Sequence, residues 1–117
     1  MKTIRIKRIY DEPAEDDGYR VLVDKIWPRG VSKVRANLDE WNKEVTPSTE
    51  LRKWFDHKEE RFEEFALRYR EQLLEKKEQL NELRKTADHE PLSLLYAAKS
   101  PTVNHAIVLR DVLLNGL

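Results

Sequence analysis

Directly after the apolar run Val21-Leu22-Val23, the chain reads Asp24-Lys-Ile-Trp-Pro-Arg-Gly30. A carboxylate, an indole and a guanidinium at the end of what reads as a buried strand make the rim of a ligand site. A second set follows the apolar run Leu92–Ala98, where Lys99, Thr102, Asn104 and His105 lead into a helical pattern. An arginine fork and a lysine beside unpaired helix N–H groups seat a phosphate, sulfate or carboxylate. Arg29, Lys99 and Asn104 are the ligand-binding candidates of that kind, with Trp27 as an apolar wall or stacking face. Asp24 and His105 are the candidate catalytic acid/base pair, because imidazole transfers protons near neutral pH and a carboxylate can orient it or act as a base. Arg8 joins the ligand-binding set if the first strand runs parallel to the second.

Each of these residues has a plainer reading. Asp24 and Arg29 could form a structural ion pair, and Trp27, Trp41 and Trp54 could serve packing alone. His105 could cap a helix, and His57 and His89 lie where structural or loop histidines are common. The three histidines show no converging ligand spacing, so no metal is expected. The three glycines form neither a phosphate-binding loop nor a dinucleotide fingerprint, and Ser93 and Ser100 lack a nucleophile-elbow context. No cofactor is therefore expected.

The elements that must position these residues follow from periodicity. Ile4 and Ile6 alternate with Thr3, Arg5 and Lys7, and Arg8 falls in phase with the isoleucines, as in a strand. Residues 11–18, with five acids, a proline and a glycine, read as a helical turn or acidic loop too short for an ordinary crossover helix, so hairpin and parallel pairings both stay open. Residues 19–27 and 92–98 read as central strands covered on both faces. Ser32 caps a short helix to about Leu38, and Ser48 caps another, TELRKWF. Asp56 with Glu59 resembles a capping box opening a long helix, on which Phe62, Phe65, Tyr69, Leu73, Leu80 and Leu83 form a stripe. Eight acids and eight bases between Lys58 and Lys85 fill its other faces, and Lys76 and Lys77 interrupt the stripe, so its second half is expected to be more exposed. Residues 103–114 resume a helical pattern. The expected fold is a single α/β domain over residues 1–117, a three-layer sandwich with a small, mostly parallel central sheet flanked by helices, one of them long.

Bulk composition narrows the function classes. Lys plus Arg and Asp plus Glu both number 22, so the molecule has no net field to gather nucleic acid, which is disfavoured as a partner. The absence of cysteine removes disulfides and thiolate chemistry. No apolar run approaches a membrane span, and the N-terminal MKTIRIKRIY has no uninterrupted apolar core, so a cytoplasmic address is expected.

The blocks DDGYRVLVDKIWPRGVSK, LRKWFDH with a following RYREQL, and LLYAAKSPTVNHAIVL together resemble the bacterial and archaeal YeaO-like proteins, a family built on domain of unknown function 488. The resemblance covers nearly the whole chain and implies a small cytosolic α/β protein. In longer relatives it implies Asp-x-Arg after the second strand and Cys-His-Arg in the last loop. The triplet here is Asn104-His105-Ala106, so Asp24 and His105 carry over and the loop cysteine and arginine have no counterpart. Two functions are consistent with these residues: an anionic small-molecule site, as in a hydrolase or transferase acting on a phosphorylated or carboxylated metabolite, or a non-catalytic interaction protein using its charged helix. In the second case Leu80 and Leu83 would form a homodimer contact.

Overall fold

The two continuous apolar runs become strands because only a position covered on both faces buries every side chain. The computed structural model describes residues 3–117. All five residues of Leu92–Tyr96 are buried, as are Arg20, Val21 and Leu22. These strands, β4 (Leu92–Tyr96) and β2 (Tyr19–Leu22), lie side by side in the middle of a four-stranded sheet, with β1 (Ile4–Arg8) beside β4 and β3 (Glu40–Trp41) beside β2. Every pairing is parallel, in the order β1-β4-β2-β3. The first strand is therefore neither in a hairpin with β2 nor next to it. The second strand is shorter than residues 19–27, and β3 has no counterpart among the expected strands.

Alternation divides the sheet into two faces. Val21, Leu92 and Leu94 pack into a core with α2 (Thr49–Phe55), α3 (Phe62–Leu73), α4 (Lys77–His89) and α5 (His105–Asn115). Leu22 and Leu95 face the other way, onto Ile9, Val31 and the short helix α1 (Lys33–Ala36). The result is the expected three-layer α/β sandwich. Ser32 and Ser48 cap α1 and α2 by accepting from the Arg35 and Leu51 N–H groups. The long helical segment is two helices joined by a 3-10 turn at Leu74–Lys76.

Two readings of that segment are corrected. Asp56 ends α2 rather than opening the next helix: its φ of 48° is left-handed and its N–H closes onto the Arg52 carbonyl at 3.0 Å. The second half of the stripe is not exposed, because the 3-10 turn keeps the two apolar faces in phase. Leu80 and Leu83 are 1% and 2% exposed and belong to the main core, so they are not available as a contact between copies. Lys76 is drawn off the stripe to Glu44, 2.8 Å away.

The acidic segment solves the short-crossover problem without a helix. It passes from the end of β1 to the start of β2 over the intervening β4, with a 3-10 turn at Glu15–Asp17 held against the sheet. Asp17 is 3% exposed and accepts from Lys7 on β1 (3.0 Å), Arg20 on β2 (2.5 Å) and the Ala14 N–H (2.9 Å), while its carbonyl accepts from Ser93 on β4 (2.7 Å). Arg20 completes its hydrogen bonds at the end of α1, donating to the carbonyls of Ala36 (2.8 Å) and Asn37 (3.0 Å). A single buried residue thus ties three strands together, through its carboxylate to β1 and β2 and its carbonyl to β4, and the paired guanidinium fixes α1.

Burial pushes the Asp17 carboxyl up, but the Ala14 N–H, Lys7 and Arg20 outweigh it and hold it below its ordinary value of 3.8. A carboxyl lowered in the folded state stabilises fully above its unfolded value and loses that contribution as pH falls through the folded one. Asp17→Asn should therefore cost about 3 kcal/mol at neutral pH, by leaving the Arg20 charge uncompensated, and should flatten the acid limb of the stability curve below pH 4. Denaturant titrations across pH check both effects; an unchanged acid limb would remove Asp17 from this role. Gly18 follows with φ 67°, and a Cβ there would sit 2.1 Å from the Pro91 carbonyl oxygen. Gly18→Ala is expected to destabilise by at least about 2 kcal/mol in the same measurement.

Candidate functional site

The loops that leave the carboxyl ends of a parallel sheet part from one another, and ligands bind in the opening. Here a cavity of about 800 Å³ lies there, lined by Asp24–Arg29 after β2, Ala97–Ser100 after β4, and Val103, Asn104 and His105 at the start of α5. Asp24, Trp27, Arg29, Lys99, Asn104 and His105 all line it, and Arg8 does not. β1 is parallel, but the Arg8 side chain turns onto the backbone beneath the cavity, donating to the carbonyls of Ala98 (2.9 Å) and Ala97 (3.4 Å) and lying over the Tyr10 ring. It fixes the wall rather than forming it.

Asp24 and His105 are placed by a ladder that opens one rung early. In a parallel pair, the residue that donates to one carbonyl accepts from the amide two positions further along the partner. The Val23 N–H donates to the Leu95 carbonyl at 3.0 Å, so the Val23 carbonyl would be met by the Ala97 N–H. Instead the Ala97 N–H donates to Asp24 Oδ2 at 2.7 Å, and the Val23 carbonyl accepts from His105 Nε2 at 2.5 Å. His105 Nε2 also lies 3.4 Å from Asp24 Oδ1. A carbonyl can only accept, so Nε2 carries a proton, and that proton is directed at the backbone. The pair is close enough for acid/base chemistry, yet its polar atoms stand in for the missing rung. Below them Tyr69 donates to the Val45 carbonyl, and burial, followed by the Asp24 charge, pushes its phenol far above the ordinary tyrosine range. Tyr69 is a fixed neutral donor.

The rest of the rim is tied down in the same manner. Trp27 Nε1 donates to the Val31 carbonyl (2.6 Å), and Trp41, edge-on to Trp27, donates to the Asp24 carbonyl (2.6 Å). Tyr10 donates to the Arg29 carbonyl at 3.0 Å. Asn104 is 2% exposed, and both ends of its amide are engaged: Oδ1 accepts from the Ile107 N–H (3.0 Å) to cap α5, and Nδ2 donates to the Ser100 carbonyl (2.9 Å). The Asp24–Arg29 ion pair does not form, since Asp24 is held by Ala97 and His105. Among the described residues, Arg29 and Lys99 are exposed with no acidic partner.

The opposite wall was not foreseen in the sequence. Thr46, Pro47, Arg52, Phe55 and His57, from α2 and its flanks, line the cavity together with Phe65 of α3. Phe55 and Phe65 stack with centroids 4.2 Å apart and, at 5% and 1% exposed, are core residues that back the cavity from beneath. Gln72 of α3 seats α2, accepting from the Ser48 N–H and donating to its hydroxyl, both at 2.9 Å. The one sequence signal was the TELRKWF helix itself, with Arg52 and Phe55 three residues apart on adjoining faces. Nothing local indicates that the helix returns over the strand ends. Among the described residues no cluster of three or more His, Asp or Glu could hold a metal ion, and no helix is long and apolar enough to cross a membrane.

Comparison with known proteins places this geometry. A family model described as the inactive DUF488-N3 subclade matches residues 3–117. The chain is 47% identical to the uncharacterized protein YeaO of Escherichia coli K12 over 108 residues, 92% of this chain and 94% of the relative. It is 44% identical over 113 residues to the uncharacterized proteins Mb3100c of Mycobacterium bovis and Rv3073c of Mycobacterium tuberculosis H37Rv, covering 97% of this chain and 94% of each relative. No solved structure matches.

The substituted rung makes a direct prediction. Asp24→Ala leaves the Ala97 N–H without its acceptor, which should cost about 1–3 kcal/mol and accelerate hydrogen exchange at Ala97. The Leu95 amide, inside the backbone ladder, should exchange only as global stability changes. Exchange measured by NMR distinguishes the two sites, and an Ala97 amide as protected as in the parent would refute the assignment.

Proposed function

This chain belongs to the inactive DUF488-N3 subclade, and we propose that its cavity binds an anionic small molecule without transforming it. The observation that carries the reading is the set of cations at the rim. Arg29 and Lys99 face a cavity whose single acid, Asp24, is already engaged, so a ligand anion meets positive charge with no internal competitor.

The same residues argue against covalent chemistry. Asn104 stands where the family resemblance implies a cysteine in longer relatives, and it is a buried helix cap. The hydroxyls on the cavity wall serve the backbone: Thr46 donates to the Lys43 carbonyl (2.6 Å), and Ser100 accepts from the Val103 N–H (3.0 Å). His105 directs its Nε2 proton to Val23 rather than to a nucleophile. A hydrolase or transferase would need an activated nucleophile, and neither hydroxyl is hydrogen-bonded to His105 or Asp24. The charged helices give the interaction reading less support, because the stripe from Phe65 to Leu83 points inward, Leu67 and Leu74 stand exposed singly, and pairs such as Glu64–Arg68 and Glu82–Lys85 are ordinary helix-surface neighbours.

Titration with inorganic phosphate or sulfate, followed by amide chemical shifts, tests the proposal. Shifts should appear at residues 25–29 and 97–100 and weaken with added chloride. Arg29→Gln and Lys99→Gln should each weaken binding by about tenfold, the loss of one charge-assisted contact. No shift at these residues at tens of millimolar anion would sink the reading.

A further inference from the structure

The cavity is larger than a simple oxyanion requires and has cations on two separated walls. Arg29 belongs to the loop that leads to α1 on one side of the sheet, its carbonyl held by Tyr10. Arg52 comes from α2 and His57 from the turn after it, and α2 packs on the opposite face with Leu51 and Phe55 in the main core. The apolar part of the lining that remains accessible includes Trp27, at the α1 side, Ala98 and Val103, backed by the buried pair Phe55 and Phe65. The sequence of surfaces across the opening is therefore cation, apolar lining, cation.

His57 adds an independent observation. It follows Asp56 in a second consecutive left-handed conformation, with φ 56° after 48°, and neither residue is a glycine. Side chains at such positions are strained relative to glycine, and strain of this kind persists where the surrounding structure or a function maintains it. Among the described residues the His57 imidazole has no hydrogen-bond partner; its neighbour is the Phe55 ring, 6.2 Å between centroids, and it lines the cavity. Arg52 likewise has no acidic partner among the described residues. Neither side chain contributes to holding α2, which is capped by Ser48 and seated by Gln72.

We propose that Arg52 and His57 form a second anion subsite, so that the cavity takes an elongated molecule with an acidic group at each end and an apolar, preferably aromatic, body against the accessible apolar lining, Trp27 above all. This rests on the anion-binding reading above and names its ligand class. The first acidic group meets Arg29 and Lys99, and the second meets the α2 wall. A volume of about 800 Å³ suits such a molecule, because organic ligands of drug size occupy cavities of roughly 300–1,000 Å³.

Three probes separate the claims: inorganic phosphate, phenyl phosphate and 4-carboxyphenyl phosphate, each titrated into the full chain with affinities read by calorimetry or NMR. The doubly acidic probe should bind about tenfold tighter than phenyl phosphate, and phenyl phosphate tighter than inorganic phosphate. Arg52→Gln should bring the first ratio close to one, whereas Arg29→Gln should weaken all three. His57→Gly should raise the melting temperature by relieving the left-handed strain, yet weaken the doubly acidic probe. Equal affinity for the two aryl phosphates in the parent, or a ratio unaltered by Arg52→Gln, would overturn the second subsite while leaving the first intact. Absence of binding by all three would overturn the cavity reading itself.

Discussion

Where β2 and β4 part, the sheet must stop without leaving a buried carbonyl and a buried amide unpaired. Backbone groups in that position cost free energy unless a partner replaces the lost rung. Asp24 accepts from the Ala97 N–H and His105 donates to the Val23 carbonyl, so two side chains hold the strands apart while satisfying both. The cavity exists because of this substitution. A continued ladder would draw residues 24–26 against residues 97–99 and close the space between them. Asp24 also ties in two neighbouring elements: its own carbonyl receives Trp41 of the edge strand β3, and its partner His105 begins α5. An acid and an imidazole within 3.4 Å look like a catalytic dyad, but their first duty is architectural.

The layers behind the opening divide the work unevenly. On one face, α2 to α5 supply a conventional apolar cover in which Phe65, Tyr69, Leu73, Leu80 and Leu83 are all nearly inaccessible. On the other, a four-residue helix and a loop cover the sheet, and their hold depends on charge. The Asp17–Arg20–Lys7 cluster satisfies three strands and the end of α1 with directional bonds where there is too little apolar surface to do so by burial. A buried ion pair is weak as a source of net stability but strict about geometry, which suits a segment that must cross β4 in ten residues with no helix to stiffen it.

Much of this arrangement is legible in the sequence because the central strands are apolar on both faces, a pattern that helices and edge strands do not share. The existence of both central strands and of the last helix was readable, although the strands end earlier, at Leu22 and Tyr96, and the helix starts later, at His105, than the apolar patterns suggest. The convergence of Asp24, Trp27, Arg29, Lys99 and His105 on one opening was readable too, since parallel strands place their carboxyl ends together. Other features were hidden for identifiable reasons. β3 is two residues long and carries no alternation. Asp56 has the composition of a cap for either end of a helix, and only its left-handed backbone decides which. Lys76 and Lys77 break the apolar stripe in sequence but not in space, because a tightened turn restores the phase. Asn104 reads in the sequence as a ligand-binding amide within a helix from Val103, whereas it is the buried cap of a helix that starts at His105. The α2 wall depends on a tertiary return that no local pattern encodes.

The sheet also ends abruptly on both sides. β3 offers only Glu40 and Trp41 as ladder, with Lys43 lying over the Trp41 ring 4.1 Å from its centroid, and β1 places Arg5, Lys7 and Arg8 among its five residues. A strand arriving from another molecule would find too few free rungs at one border and crowded cations at the other. Growth of the sheet into fibrils is thereby discouraged at each margin, which lets two strongly apolar central strands coexist in one small chain without becoming a nucleus for aggregation.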